Sequence, residues 1–210
     1  MPDAVLVGGS AAAYHAGHLD SFDHDHVLPD LAERFDLVLE AIEATDGWVT
    51  NRLVPGKLIL GELGDIEAGV RQIIRRRPLE VEEVPLPSGR RVRVPTIAEA
   101  LRVKAFLIVR RNQTRDFLDV AALSHRLGPD HAAAILARID DFCADQHGAG
   151  DGVATQVVRQ LAEPRPRDAR TTRELHRYKN LEPRWHDWRA VVEACRAVAD
   201  RMLDAPETTP

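Results

Sequence analysis

Cysteine is scarce in this chain. Cys143 and Cys195 are the only two among 210 residues, and neither shows CxxC or Cys/His finger spacing. That excludes a disulfide framework and a structural zinc site, and it fits a reducing, cytoplasmic compartment. No uncharged apolar stretch approaches the ~20 residues a membrane-spanning helix requires. Met1-Pro2-Asp3 lacks the basic start of an export signal. The expectation is a cytoplasmic protein with no membrane partner. There is also no internal repeat. What remains is ordinary globular composition, 44% hydrophobic and 29% charged, long enough for one large domain or two small ones.

The net charge of -5 is unevenly spread. Residues 1–70 carry 13 acidic side chains against 3 basic, whereas residues 71–115 carry 12 basic against 4 acidic. Adjacent blocks of opposite sign suit a protein that handles phosphates and metal ions together, although solvated faces give the same pattern.

Ala4-Val5-Leu6-Val7 reads as a short strand, Gly8-Gly9-Ser10 as a turn, and Ala11 to Tyr14 as the start of a helix. Ser21 to Leu28 alternates like a strand and closes at Pro29-Asp30. A helix follows with Asp30 as candidate N-cap and Leu31, Phe35, Leu39 and Ile42 on one face, Val38 beside them. Pro55-Gly56 punctuates a hairpin between Trp48–Val54 and Lys57–Leu60, and a short helix is expected after Asp65. Leu79–Val84 and Arg91–Val94 pair around Pro87-Ser88-Gly89. Thr96-Ile97-Ala98-Glu99 is a capping-box pattern that opens a helical half. Breaks fall near Asn112-Gln113, Gly128-Pro129, Gly148 to Gly152 and Pro164 to Pro166, the last read as a linker. The fold class is α+β, with an α+β domain over residues 1–95 and a helical domain over 96–210.

Asp23 and Asp25 carry the first chemical signal. On one strand, side chains two apart share a face, ~7 Å apart along the chain. Two such carboxylates repel unless a hard cation lies between them, and that cation can also bind phosphate oxygens. A solvated acid pair in a loop would show the same spelling. Gly8-Gly9-Ser10 is the second signal: two glycines let backbone N–H groups approach an anion, a helix N-terminus adds positive potential, and the Ser10 hydroxyl can donate to phosphate. In the helix from Ile97, Lys104 lies among Leu101, Ala105 and Ile108, so its ammonium must either snorkel outward or meet an anion. Asp116 shares the apolar face of the next helix, and Asp119 lies beside that face. For Asp116 the plainer reading is a first-turn acid near a Thr114 cap.

Strand, Gly-Gly-Ser, helix and then Asp-x-Asp, with twelve residues between Ser10 and Asp23, resembles the nucleotidyltransferase superfamily of DNA polymerase β type. Adding Ser21, the stretch Gly61 to Gln72, Lys104 and Arg115 to Asp119, the chain is similar to AbiEii-like and MenT-like nucleotidyltransferase toxins over roughly residues 5 to 127. The resemblance implies a nucleotidyltransferase-type mixed sheet with flanking helices and a helical C-terminal half that contributes active-site residues. It implies that Asp23 and Asp25 bind Mg2+, that Gly9, Ser10, Ser21, Arg71 and Lys104 bind the nucleotide, and that Asp119 or Asp116 completes the catalytic set with Asp23 and Lys104. The activity implied is transfer of NMP from an NTP, ATP among the candidates, to the 3′ end of tRNA. The role implied is translation inhibition by the toxin of a toxin–antitoxin pair, with a cognate antitoxin as partner. Ser21 matches a serine whose phosphorylation by a partner silences such enzymes. Glu80 or Glu82 is the candidate third metal acid. His24 and His26 depart from the apolar residues usual beside the paired acids.

Two readings compete. His15, His18, His24 and His26 near the two aspartates would suit a metal-dependent hydrolase. Arg75-Arg76-Arg77, Arg90-Arg91, Arg93 and Arg110-Arg111 would serve a non-catalytic nucleic-acid module. His176, Tyr178, Trp185 and Trp188 either stack on RNA or pack a terminal helix.

Overall fold

The computed structural model describes residues 3–146 and 150–204. The chain forms two compact units. One comprises the chain up to Ala11 with Ser21–Thr96; the other comprises Ala12–Asp20 with the chain from Ile97. Residues 12–20 therefore leave the 1–95 segment and join the helical unit.

In the first unit, β1 (Val5–Leu6), β2 (His24–Leu28), β3 (Trp48–Val54), β4 (Leu58–Leu63), β5 (Ile66–Gln72), β6 (Val81–Pro85) and β7 (Arg91–Pro95) build one sheet in the order β3-β4-β5-β2-β1-β7-β6. It is mixed. β2 runs parallel to β5 and β1 parallel to β7, while β1 and β2 are antiparallel. The Pro55-Gly56 hairpin forms as expected, with Gly56 at φ 69°. The helix expected after Asp65 does not form. Gly64, at φ 63°, turns the chain straight back on β4, and β5 then pairs with β4 on one side and β2 on the other. Pairing on two edges overrides the helix propensity of Glu67 and Ala68.

One face of this sheet is closed by α2 (Phe35–Glu43). Leu28, Leu31, Val38, Ile42, Ile59 and Val70 are buried together there, each side chain stabilising the fold by roughly 1.5–3 kcal/mol on burial. Gly61 on β4 lies under the Trp48 indole, where an added Cβ would stand 2.3 Å from the ring. Asp30 is not the N-cap of α2. Its carbonyl accepts the Glu33 and Arg34 N–H groups and its carboxylate pairs with Arg34 at 2.9 Å, so the chain makes one more turn before the helix begins.

The helix after the first glycines, α1 (Gly8–Ala16), begins at Gly8 itself, since Gly8 at φ 73° completes the turn from β1 in one residue. In the second unit α3 (Ile97–Arg111) and α4 (Thr114–Leu127) form a hairpin, turned at Asn112 with φ 51°. Then come α5 (Pro129–Ala137), α6 (Asp140–Cys143), α7 (Val153–Ala162), three short 3-10 turns and α8 (Trp188–Asp204). Of the break read at Gly148 to Gly152, Gly148 and Ala149 lie outside the described residues. Gly152 abuts the Asp140 carboxylate, which accepts the Val153 N–H at 2.6 Å and so caps α7. Residues 164–166 are not a linker. Pro164 and Pro166 are buried, and the Arg165 carbonyl and Arg167 N–H both bond to Asn112. Trp185 is buried and Trp188 meets Phe117 edge-on at 6.1 Å, so both indoles pack the core.

Candidate functional site

In the first unit the segment from Val7 to Ser10 holds both paired acids through their backbones. The Val7 N–H donates to the Asp25 carbonyl at 2.8 Å, and the Ser10 hydroxyl donates to the Asp23 carbonyl at 2.5 Å. A hydroxyl has one hydrogen, so the 3.1 Å contact between Ser10 Oγ and Ser21 Oγ is a bond that Ser21 donates. Ser10 thus fixes the residue that carries the acid, and its hydroxyl is not left over for phosphate as the sequence suggested.

β2 starts at His24 rather than at Ser21, three residues later than expected, so Asp23 precedes the strand and only Asp25 sits within it. Asp25 fills a slot between two glycines. A Cβ at Gly8 would lie 3.2 Å from Asp25 Oδ2, and one at Gly69, its register partner on β5, 3.4 Å from Oδ1. Arg71, two residues on along the same face of β5, places Nε 3.5 Å from Asp25 Oδ1. Asp23 is half-buried, and among the described residues its carboxylate has no hydrogen-bond or ion-pair partner. Gly8, Ser10, Ser21, Asp23, Asp25 and Arg71 are therefore brought together.

Neither proposed third acid joins them. Glu82 lies on β6 and Glu80 immediately before it, at the sheet edge. Two strands intervene between β6 and β2, so Glu82 stands ~14 Å away. Glu67, on the neighbouring strand β5, occupies the position that continues the β2–β5 register opposite Asp23. Its alternation with Gly69 and Arg71 would have shown this had β5 been recognised as a strand. Among the described residues, no three His, Cys, Asp or Glu side chains gather as a metal-ion cluster. His24 and His26 alternate with Asp25 along β2 and so point to its other face. The basic stretch is partly internally engaged: Arg91 pairs with Glu83, Arg93 donates to the Asp3 carbonyl, and Arg75 to the carbonyls of Arg77 and Pro78.

The second unit contains a buried charge network. Lys104 is 1% exposed, so it does not snorkel. It meets an anion: Nζ lies 2.5 Å from Asp119 Oδ2 and 3.8 Å from Asp116 Oδ1. Asp116 is not a solvated first-turn acid. It is fully buried and takes two hydrogen bonds from Arg111, at 2.6 and 2.7 Å. Nor does Thr114 cap α4; Asp168 does, accepting the Thr114 N–H at 2.8 Å. A further member of the network is His18, which the sequence offers only as a metal ligand near Asp23 and Asp25 and not as a partner of Asp119. It is fully buried, and its Nε2 donates to Asp119 Oδ1 at 2.9 Å. Nothing local announces this contact between residues 101 apart in the chain.

Burial pushes the Asp119 carboxyl up. The Lys104 charge and the His18 and Lys104 hydrogen bonds outweigh it and hold the group below its ordinary 3.8. The folded chain therefore gives up this proton more readily than the unfolded chain. The resulting stability is complete above the ordinary carboxylate range and is lost as pH falls through the folded value. We expect the urea midpoint of the wild type to fall more steeply than that of Asp119→Asn as pH drops from about 6 to about 3. Equal slopes would show that Asp119 contributes nothing to acid sensitivity. The two thiols offer no nucleophile: both are buried, and burial pushes Cys195 up to about 12.

No family model matches the chain. Over 130 residues it is 38% identical to the mycolic acid-containing lipids exporter MmpL11 of Mycolicibacterium smegmatis and to the heme uptake protein MmpL11 of Mycobacterium tuberculosis. The match takes in 62% of this chain and 13% of each relative. The chain thus spans a small fraction of the curated relatives it matches, and lipid export and heme uptake are named for those much longer proteins. Among solved structures, an antigenic nucleotidyltransferase-like protein from Paracoccidioides brasiliensis aligns with TM-score 0.43 and 15% identity over 74% of this chain and 84% of that one. No helix among the described residues is long and apolar enough to cross a membrane.

Proposed function

We propose that this chain is a Mg2+-dependent nucleotidyltransferase that moves a nucleoside monophosphate from an NTP to an RNA hydroxyl. In the finer reading the acceptor is the 3′ end of tRNA, and the protein is a toxin restrained by a cognate antitoxin. One observation carries the proposal: the Gly-Gly-Ser turn and both acids form a single bonded construction, with Ser10 on the Asp23 carbonyl, Val7 on the Asp25 carbonyl and Gly8 against the Asp25 carboxylate.

The donor set fits a hard cation. Two carboxylates, one of them without a partner among the described residues, suit Mg2+, which keeps waters and takes its remaining oxygens from substrate phosphates. Bound there, the ion would neutralise charge at the α-phosphate and acidify the attacking hydroxyl. The chain's own groups do the rest. The N–H groups of Gly9 and Ser10 lie in the first turn of α1, where helices leave donors unpaired, and can hold phosphate oxygens. Arg71, half-exposed beside Asp25, keeps guanidinium donors for the same anion. Lys104 and Asp119 enter this reading as the nucleotide-contacting lysine and the completing acid, with His18 holding Asp119 in place and Asp116 held by Arg111. Phosphorylation of Ser21 would add charge beside the acids and break its bond to Ser10, a route for antitoxin control.

The test is incubation of the full chain with total tRNA, Mg2+ and each α-labelled NTP in turn. Label on tRNA from one NTP is expected. Unlabelled RNA in every lane, with the protein folded, would contradict the proposal.

A further inference from the structure

Several surface arginines of the second unit are matched to a nearby acid, among them Arg138 to Asp141, Arg159 to Asp151, Arg177 to Glu174 and Arg189 to Asp187. Arg167, Arg170 and Arg173 are not. All three are exposed, and among the described residues none of their side chains has a hydrogen bond or ion pair. The acids within the same segment are engaged elsewhere. Asp168 is turned inward onto Thr114, and Glu174 is taken by Arg177.

Their spacing follows from the backbone. Thr171 N–H bonds to the Asp168 carbonyl at 2.8 Å, Arg173 N–H to Arg170 at 3.2 Å and Glu174 N–H to Thr171 at 2.9 Å. In such a run of three-residue turns, side chains three apart eclipse, with ~6 Å between them. Arg170 and Arg173 therefore stand in line, and Arg167 lies just before the run, which begins at the Asp168 carbonyl. The segment is anchored, since Arg167 N–H bonds to the Asn112 carbonyl at 2.8 Å and Asp168 caps α4. That anchoring places the ladder beside the end of α3, where Arg110 is also exposed and, among the described residues, unpaired. Holding like charges in a row on a pinned segment costs self-repulsion, which a row of phosphates at similar spacing would relieve.

We propose that Arg167, Arg170 and Arg173 bind consecutive phosphates on one strand of RNA. This surface lies outside residues 71–115, the stretch that charge counting alone marks as basic. It rests on the transferase reading only for the choice of RNA over other polyanions.

The experiment is salt-dependent binding of a fluorescent single-stranded RNA to the full chain, with chelator and no NTP, so that chemistry plays no part. Arg167→Gln/Arg170→Gln/Arg173→Gln should weaken binding about tenfold or more at moderate salt. It should also flatten the slope of log K against log salt by about 2, at ~0.7 for each phosphate that is no longer neutralised. The thermal midpoint should hold or rise, because the variant relieves that repulsion and the three side chains have no partner to lose among the described residues. Arg138→Gln/Arg159→Gln/Arg189→Gln, which removes the same charge from paired positions, should leave the slope unchanged. Equal slopes for the ladder variant and the wild type, or equal weakening in both triple variants, would overturn the proposal. So would a larger drop in binding to vesicles of anionic phospholipid than to RNA. Ladder-dependent RNA binding without label transfer would overturn the transferase alone; label transfer with ladder-independent binding would overturn the ladder alone.

Discussion

Asp23→Ala is expected to slow nucleotide transfer by at least about 10³-fold while leaving the thermal midpoint within about 2 °C of the wild type. The two halves of this expectation have separate causes. The Asp23 carboxylate is half-buried and has no partner among the described residues, so its removal breaks no bond and relieves repulsion with Asp25. What holds this stretch of chain is the Ser10 bond to the Asp23 carbonyl, which alanine retains. Binding of Mn2+, followed by its paramagnetic resonance, should weaken in the same variant. Unaltered Mn2+ affinity, or a transfer rate within a few-fold of wild type, would remove Asp23 from the metal site.

Lys104→Met should have the opposite profile, a loss of ~3–5 kcal/mol in stability. That is a large part of the ~5–15 kcal/mol that holds a domain together. The cause is the carboxylate left behind. Asp119 is 3% exposed and, among the described residues, would keep His18 as its hydrogen-bond partner with the Lys104 charge gone. Adding Asp119→Asn to Lys104→Met removes the carboxylate charge, keeps an acceptor for His18, and should restore part of the loss in urea unfolding. Losses that simply add would show that the pair is not coupled. Activity lost at Lys104 must accordingly be measured where the variant is still folded, since stability alone can account for it.

Legibility in the sequence tracks how local each determinant is. The Pro55-Gly56 hairpin, the Asn112 break and the apolar face of α2 form where expected, because turn chemistry and periodicity act over a few residues. β5 escapes a sequence reading because Glu67-Ala68-Gly69 carries no strong strand signal, and only its two neighbours in the sheet make it one. The same weakness hides Glu67 as a neighbour of the acids. Pro164 and Pro166 read as a linker because proline marks breaks, whereas tertiary bonds to Asn112 fix them in place. Lys104 is legible in part. Its place on an apolar face requires a fate for its charge, and the anion is Asp119. His18 is not legible, because its partner lies 101 residues away and no spacing rule reaches that far.

The most direct single measurement follows an α-labelled NTP incubated with RNA, Mg2+ and the full chain, and counts label on RNA against pyrophosphate released. One pyrophosphate for every nucleotide joined to RNA, abolished by chelator, is the outcome expected of a transferase whose two amino-proximal carboxylates hold the cation. Release of phosphate or pyrophosphate with no label on RNA would instead mark a hydrolase and contradict the proposed function.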